Sequence, residues 1–328
     1  MAYAIGIDVG GTTIKAAVTS STGAICDTWQ TLTPSSEQEL ISSLQTIVER
    51  FHQRLAAKEI KDGETTVTSL LQTVGFDVPG IVNEKTGIAE FSANLNWKDF
   101  PAKARLESRL GTPVAFGHDV RSGALAESFW GVKLPDFFYI AIGTGIASTL
   151  ILDKRIVAAH PWAGEIGQIP VFPEYRGIEG ALRPAVLHQP LPLEQICSAA
   201  GITRRAVELG LVSESDGSAG VYALADKLPN PIDANEFLKA QKAQSIIDTA
   251  LTTLAHAVAH FLAGVGPIPV VLGGGLANRG QQLLDHFQAE LKVALGIVPA
   301  PSVHLAQLGS WSQVQGAALR AFIAEEVL

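Results

Sequence analysis

An α/β protein of two related lobes is the fold class the sequence predicts, and three observations carry that prediction. Short apolar runs suited to buried strands end in glycine turns at Gly10-Gly11, Gly143-Thr144-Gly145 and Gly273-Gly274-Gly275. The segment 137–157 repeats the opening one: with Gly143 set on Gly10, Phe138, Ile140 and Ile142 fall on Ile5, Ile7 and Val9. The 328 residues also suffice for about two domains, at roughly 150 residues each.

In chain order, the first strand is expected at Tyr3–Val9, a second at Ile14–Val18 and, after the Ser20–Gly23 turn, a third at Ala24–Leu32. Ser35, Ser36 and Glu37 supply cap and charge for a helix whose Leu40, Ile41, Leu44, Ile47, Val48, Phe51 and Leu55 recur at helical spacing. A strand near Thr73–Val78 runs into Pro79-Gly80, followed by a long loop through Asn94 and Trp97, a helix near Pro101–Leu110 and a strand at Pro113–Phe116. Asp119 opens a helix to about Trp130. The repeat then supplies strands at 137–142 and Ala147–Leu152, joined by the turn that bears Gly143, with a second turn at Asp153–Arg155. Segment 161–193 reads as proline-rich and irregular, and 199–228 as helical. A short strand at Ile268–Leu272, a helix from about Gly280 to Leu295 and a small-residue helix at Ser312–Glu325 complete the chain. The first lobe is expected over 1–133, rejoined by the helix at about 312–328, and the second over 134–311.

Composition excludes several function classes. The chain is 47% apolar and 17% charged, with net charge −8 and no basic block, so it lacks the clustered cations that bind nucleic acid. Two cysteines, Cys26 and Cys197, are too few for a disulfide scaffold, and there is no basic, apolar leader; both point to the cytoplasm. The apolar stretch 137–152 is too short to span a bilayer, and 257–277 is broken by Gly264, Gly266, Pro267, Pro269 and Gly273.

The chemistry lies in the turns. Asp8-Val9-Gly10-Gly11-Thr12-Thr13-Ile14-Lys15 joins two strands rather than leading into a helix, unlike a nucleotide loop of the Gly-x-Gly-x-x-Gly kind. Gly10 and Gly11 let backbone approach phosphate oxygens, whose charge Thr12 and Lys15 can also meet. Asp8 beside a phosphate implies a cation, Mg²⁺ held through water; the alternative is an ordinary hairpin ending in Asp. Gly143-Thr144-Gly145 offers the same phosphate chemistry, and Gly273–Gly275 suits a base or ribose lying on bare backbone. Asp119 after His118 is either a general base toward a hydroxyl attacking phosphorus or a helix N-cap.

In order and approximate spacing, these motifs, with Pro79-Gly80, Asn94-Leu95-Asn96-Trp97, Ala126-Glu127 and Ala163-Gly164-Glu165-Ile166-Gly167, make the chain resemble the ROK family of sugar kinases from about Tyr3 to Phe322. The resemblance implies the actin-like, hexokinase-like fold, two ribonuclease-H-like lobes around a central cleft. It implies ATP and Mg²⁺ as cofactors, and phosphorylation of the 6-hydroxyl of glucose, N-acetylglucosamine or N-acetylmannosamine. Polyphosphate is an alternative donor. It makes Asp119 the base, sets Asn94, His118, Glu165 and Glu194 on other sugar hydroxyls, and gives Gly11, Thr12, Thr144, Gly145, Gly274 and Gly275 to the nucleotide. A homodimer accords with the family's habit.

Three departures stand out. His118 replaces the family's usual Asn before the Asp; Gln168, still able to hydrogen-bond a sugar, replaces a frequent His; and Leu187–Pro192 stands where a cysteine cluster would precede Leu193-Glu194. No structural zinc is therefore expected, His160 and His188 are read as surface residues, and Glu194 is either a sugar ligand or merely solvated. The rival readings are a catalytically silent sugar or nucleotide sensor and a repressor, for which the strand beginning at Tyr3 leaves no room for a preceding DNA-binding domain.

Overall fold

The computed structural model describes residues 1–182 and 189–328. In chain order its elements are β1 (Tyr3–Val9), β2 (Thr13–Ser20), β3 (Ile25–Leu32), α1 (Glu37–Ala56), β4 (Lys61–Asp62), β5 (Thr65–Thr66), β6 (Val74–Val78), β7 (Ile81–Asn83), β8 (Ile88–Ser92), β9 (Trp97–Phe100), α2 (Ala102–Leu110), β10 (Val114–His118) and α3 (Asp119–Phe129). There follow β11 (Phe137–Ile142), β12 (Ile146–Leu152), β13 (Arg155–Val157), β14 (Pro170–Val171), α4 (Gly177–Leu182), β15 (Leu191–Pro192), α5 (Leu193–Cys197), α6 (Ala199–Glu208) and α7 (Gly217–Ala225). The last are α8 (Ala234–Val265), β16 (Val270–Gly273), α9 (Gln281–Leu295), β17 (Val303–Leu305) and α10 (Ser312–Ala324). Two compact units form: unit 1 from Met1–Asp136, Thr149–Ala163 and Gln307–Leu328, and unit 2 from Phe137–Ser148 and Gly164–Ala306.

Unit 1 is built on a sheet of order β10-β6-β1-β2-β3, in which β1, β2 and β3 form an antiparallel meander and β6 and β10 join β1 in parallel. Alternation along β1 sets two faces. Ile5, Ile7 and Val9 pack with Leu40, Leu44, Ile47 and Phe51 of α1, which Ser36 caps by accepting from the Glu39 N–H. Ala4 lies on the opposite face, against Ala318, Ala321 and Phe322 of α10. Gly6 and Gly75 make that approach possible: a Cβ on Gly6 would come within 2.2 Å of the Val314 carbonyl oxygen, and one on Gly75 within 1.8 Å of that of Ala317. The segment expected as a long loop instead holds a sheet, β7-β8-β9. Its strands are only three to five residues long, one is bulged at Ile81/Val82, and Lys98 and Asp99 in β9 interrupt any apolar alternation.

The second sheet has the order β13-β12-β11-β16-β17, matching β3-β2-β1-β6-β10 position for position, with β11, β16 and β17 parallel. Asp153 and Lys154, both at positive φ, turn β12 into β13. In unit 2 the core runs through α8, whose Ile246, Ala250, Leu254, Val258 and Leu262 pack with Phe138, Ile140 and Leu272. By length and composition α8 could cross a membrane, but 67% of its most apolar window is buried, as in a core helix. The apolar stretch 257–277 is not one element: the helix begins at Ala234 and stops at Val265, before Gly266 and Pro267.

One face of α8 also anchors α4 and the segment ahead of it. The hydroxyls of Thr253, Thr249 and Ser245, spaced four residues apart, accept the N–H groups of Glu174, Arg176 and Glu179 at 2.9, 2.9 and 2.7 Å. Glu179 is fully buried and paired with Arg205 of α6 at 2.7 and 2.8 Å. Leu187 and His188, named above for the missing zinc cluster, lie outside the described residues. Among the described residues no group of three or more His, Cys, Asp or Glu is placed to hold a metal.

Candidate active-site residues

In unit 1 the parallel strands β1, β6 and β10 bring their C-terminal ends side by side, with Asp8 opposite Asp77 and Asp77 opposite Gly117. α3 begins one step later, at Asp119. Burial pushes the Asp8 carboxyl up to about 8; the negative charge of Asp119 adds to the shift and Lys15 opposes it. Asp8 and Asp119 therefore share one electrostatic site. The Gly10 N–H closes the turn on the Thr13 carbonyl at 3.0 Å, leaving Gly11 and Thr12 exposed. A Cβ on Gly11 would lie 3.0 Å from that of Asn94, so turn and Asn94 adjoin, and both line a cavity of about 240 Å³ with Trp97. Lys15 donates to the Ser310 carbonyl at 2.8 Å and sits 5.6 Å from the Trp311 ring centre.

The helix-cap alternative for Asp119 is corrected by the geometry. His118 caps α3, its Nδ1 accepting from the Arg121 N–H at 3.4 Å, and Asp119 is the first helical residue, its Oδ1 accepting from the Val120 N–H at 2.7 Å. An Nδ1 that accepts carries no proton, so its 3.3 Å approach to Asp119 Oδ1 is not an ion pair. Burial, followed by the charges of Arg121 and Arg320, lowers His118 to about 3, against a hydrogen bond with the Gly80 backbone. The ring is neutral and only 5% exposed.

A histidine whose pKa falls on folding binds protons better in the unfolded chain, so its contribution is complete above about pH 6.5 and is lost as pH falls toward about 3. The expected slope from this group is at most ~1.4 kcal/mol per pH unit. Denaturation midpoints measured across that window should fall less steeply for His118→Asn, which can still cap, than for the parent; equal slopes would contradict the assignment.

Sequence reasoning missed the residues beneath this site. Asp77 is fully buried, and its Oδ1 accepts from Ser122 Oγ at 2.7 Å and lies 3.6 Å from Arg320 Nε. Burial holds its carboxyl well above the usual range, with Arg320 and Ser122 working in the opposite direction. Glu84 accepts from Arg320 Nη2 at 2.7 Å and from the His118 N–H at 3.1 Å. A signal for Asp77 existed. Gly75-Phe76-Asp77-Val78 echoes Gly6-Ile7-Asp8-Val9, and the structure pairs Gly6 with Gly75 and Asp8 with Asp77.

In unit 2 the Gly143 N–H donates to the Gly145 carbonyl at 3.0 Å, forming the expected turn. Glu194 Oε2 accepts from the Ile146 N–H at 3.4 Å and lies 2.8 Å from where a Gly145 Cβ would stand and 3.2 Å from where one on Gly167 would. Glu194 is thus half-buried against the turn, not a solvated surface residue. Glu165 is half-buried, its carbonyl accepting from the N–H of the exposed Gln168 at 3.2 Å. Gly274, at φ 82, packs on the backbone of Ile142, where a Cβ would clash at 2.5 Å, and Gly274 and Gly275 are exposed. Thr144 and Glu194 line a cavity of about 650 Å³ with Ser198, Gly201 and Arg204. His160, in unit 1, is exposed.

The chain is 30% identical to a glucokinase of Halalkalibacterium halodurans over 298 residues, 87% of this chain and 85% of that protein. Its fold is similar to the ROK hexokinase of Thermus thermophilus, with a TM-score of 0.77 and 22% identity, covering 99% of this chain and 100% of that one. It is also similar to a ROK family glucokinase from Streptomyces griseus, solved with glucose and AMPPNP, with a TM-score of 0.66 and 23% identity, covering 96% and 98%. The ROK family model matches residues 4–322, and the chain belongs to that family.

Proposed function

We propose that this protein is an ATP-dependent sugar kinase that phosphorylates the 6-hydroxyl of a hexose or N-acetylhexosamine, namely glucose, N-acetylglucosamine or N-acetylmannosamine. The observation that carries the reading is the placement of Asp119: a carboxylate 23% exposed, at the first turn of α3, electrostatically coupled to Asp8 beside a glycine turn. Asp119 receives the proton of the 6-hydroxyl as that oxygen bonds to the γ-phosphorus; the bond from phosphorus to the β,γ-bridging oxygen breaks, and ADP leaves. Asn94, His118, Glu165, Gln168 and Glu194 are the sugar-contacting candidates. Glu194 is held beside Gly145 by the hydrogen bond it accepts from the Ile146 N–H. The 650 Å³ cavity is of a size to take a nucleotide. In unit 2, Thr144, Gly145, Gly274 and Gly275 would offer a nucleotide backbone and hydroxyl; in unit 1, Gly10, Gly11, Thr12 and Lys15 would offer phosphate contacts.

Asp8 suits a cation, because a carboxyl driven up to about 8 by burial and a neighbouring carboxylate is relieved by positive charge. Mg²⁺, held by Asp8 through water, would neutralise charge on the transferring phosphoryl group. The free thiols of Cys26 and Cys197 accord with the cytoplasm as its place of work.

The test is ADP release with ATP or polyphosphate over glucose, mannose, N-acetylglucosamine, N-acetylmannosamine, fructose and allose. Turnover is expected with ATP on glucose or one of the two N-acetylated sugars. Ligand binding without turnover on any of them would instead support the silent sensor.

A further inference from the structure

Glu84 and Arg320 have no place in the chemistry above, yet they converge on the junction that carries it. Glu84 follows β7 and Arg320 lies on α10, so 236 residues separate them. Glu84 Oε1 is a single acceptor for Arg320 Nη2 at 2.7 Å and the His118 N–H at 3.1 Å, with Arg121 Nη1 3.7 Å away. Arg320 Nε donates to Ser122 Oγ at 2.5 Å, one helical turn beyond Asp119, and Ser122 in turn donates to Asp77. The guanidinium also lies close over Gly117: a Cβ there would be 2.2 Å from Nε, so only glycine leaves it space next to His118. Arg121 is tied on its far side to the carbonyls of Pro161 and Ala163 at 2.6 and 2.8 Å. The backbone on both sides of Asp119 is therefore gripped by one charged network, at Gly117 and His118 before it and at Arg121 and Ser122 after it.

We propose that Glu84 and Arg320 are positioning residues for Asp119: the Glu84 carboxylate, oriented by the Arg320 fork, holds the His118 N–H and so fixes the direction in which the Asp119 side chain leaves α3. The proposal rests on the kinase reading for its catalytic consequence, but not for its structural content. Charge-assisted hydrogen bonds are the strong ones, and a planar guanidinium that bridges two partners, Ser122 through Nε and Glu84 through Nη2, transmits orientation as well as charge. A shift of the base by a fraction of an ångström matters because reaction requires near-contact alignment of the hydroxyl, its acceptor and phosphorus.

The test compares the parent, Glu84→Ala and Glu84→Gln by steady-state kinetics and by amide hydrogen exchange of the peptide containing His118. Glu84→Ala is expected to lower kcat roughly 10- to 100-fold, with KM for ATP and sugar within about threefold. Exchange in the His118 peptide should quicken about tenfold, while peptides of α1 and α8 stay unchanged. Glu84→Gln retains an acceptor oxygen and should restore most of kcat and of the protection. Arg320→Lys, which keeps the charge but loses the fork, should resemble Glu84→Ala in kcat. Parent-like kcat and exchange in Glu84→Ala would overturn the proposal, as would a loss that Gln does not rescue. A parent without turnover on any sugar would overturn the kinase reading instead, and the exchange data would still decide whether Glu84 holds the junction.

Discussion

Replacing Asp119 with Asn should lower kcat roughly 10²- to 10⁴-fold while leaving sugar affinity within about threefold. The structure makes this substitution clean. Because His118 Nδ1, not Asp119, caps α3, the helix keeps its N-terminal partner in the variant. Asn is isosteric and still offers an oxygen to the Val120 N–H, which Asp119 Oδ1 now accepts at 2.7 Å. What the variant loses is the capacity to take up a proton. Kinetics with the fastest sugar, together with sugar binding by calorimetry, provide the check. Activity within tenfold of the parent would reduce Asp119 to a residue that only favours the helix N-terminus.

Glu179→Ala should destabilise unit 2 by about 3–5 kcal/mol, the usual consequence of leaving one member of a buried ion pair alone. For a unit of this size that is a fall of roughly 6–20 °C in its thermal transition, measurable by calorimetry. The reason is positional. Glu179 is 0% and Arg205 3% exposed, so the orphaned guanidinium gains no water. Arg205 also donates to the carbonyls of Ile196 and Ile246, which join α5 and α8 to α6, so any movement toward solvent breaks those bonds too. The backbone anchor survives, since the Glu179 N–H bonds Ser245 Oγ independently of the side chain. A loss below about 1 kcal/mol would mean that the site relaxes and lets water in.

Residues whose role is set by their neighbours in the chain were readable from sequence. The meander at β1 to β3, the capped α1 and the turn that ends β12 all follow from alternation, a serine before an acidic turn, or turn residues. Asp8 and Asp119 stood out for the same reason: each sits where a strand ends. Short strands rich in charge were harder, as β9 shows with Lys98 and Asp99 in four residues. α8 is masked at its end, where Gly264 sits in its last turn and Gly266 and Pro267 break an apolar run that continues beyond the 32-residue helix. The supports of the site were the least legible. Nothing next to Arg320 in sequence marks it as the partner of Glu84 or Ser122; only the packing of α10 on Gly6 and Gly75 brings it there. Asp77 could have been found, since an acid inside the apolar run Val74–Val78 needs a buried partner.

The most direct test of the central claim is phosphorus-detected NMR of the products formed from ATP and the sugar that supports fastest turnover. ADP and a sugar phosphate ester are expected in equal amounts, with the phosphorus coupled to the C6 protons, and both are expected to form at least ~100-fold more slowly with Asp119→Asn. Phosphate on another hydroxyl, or release of inorganic phosphate without a sugar ester, would contradict it.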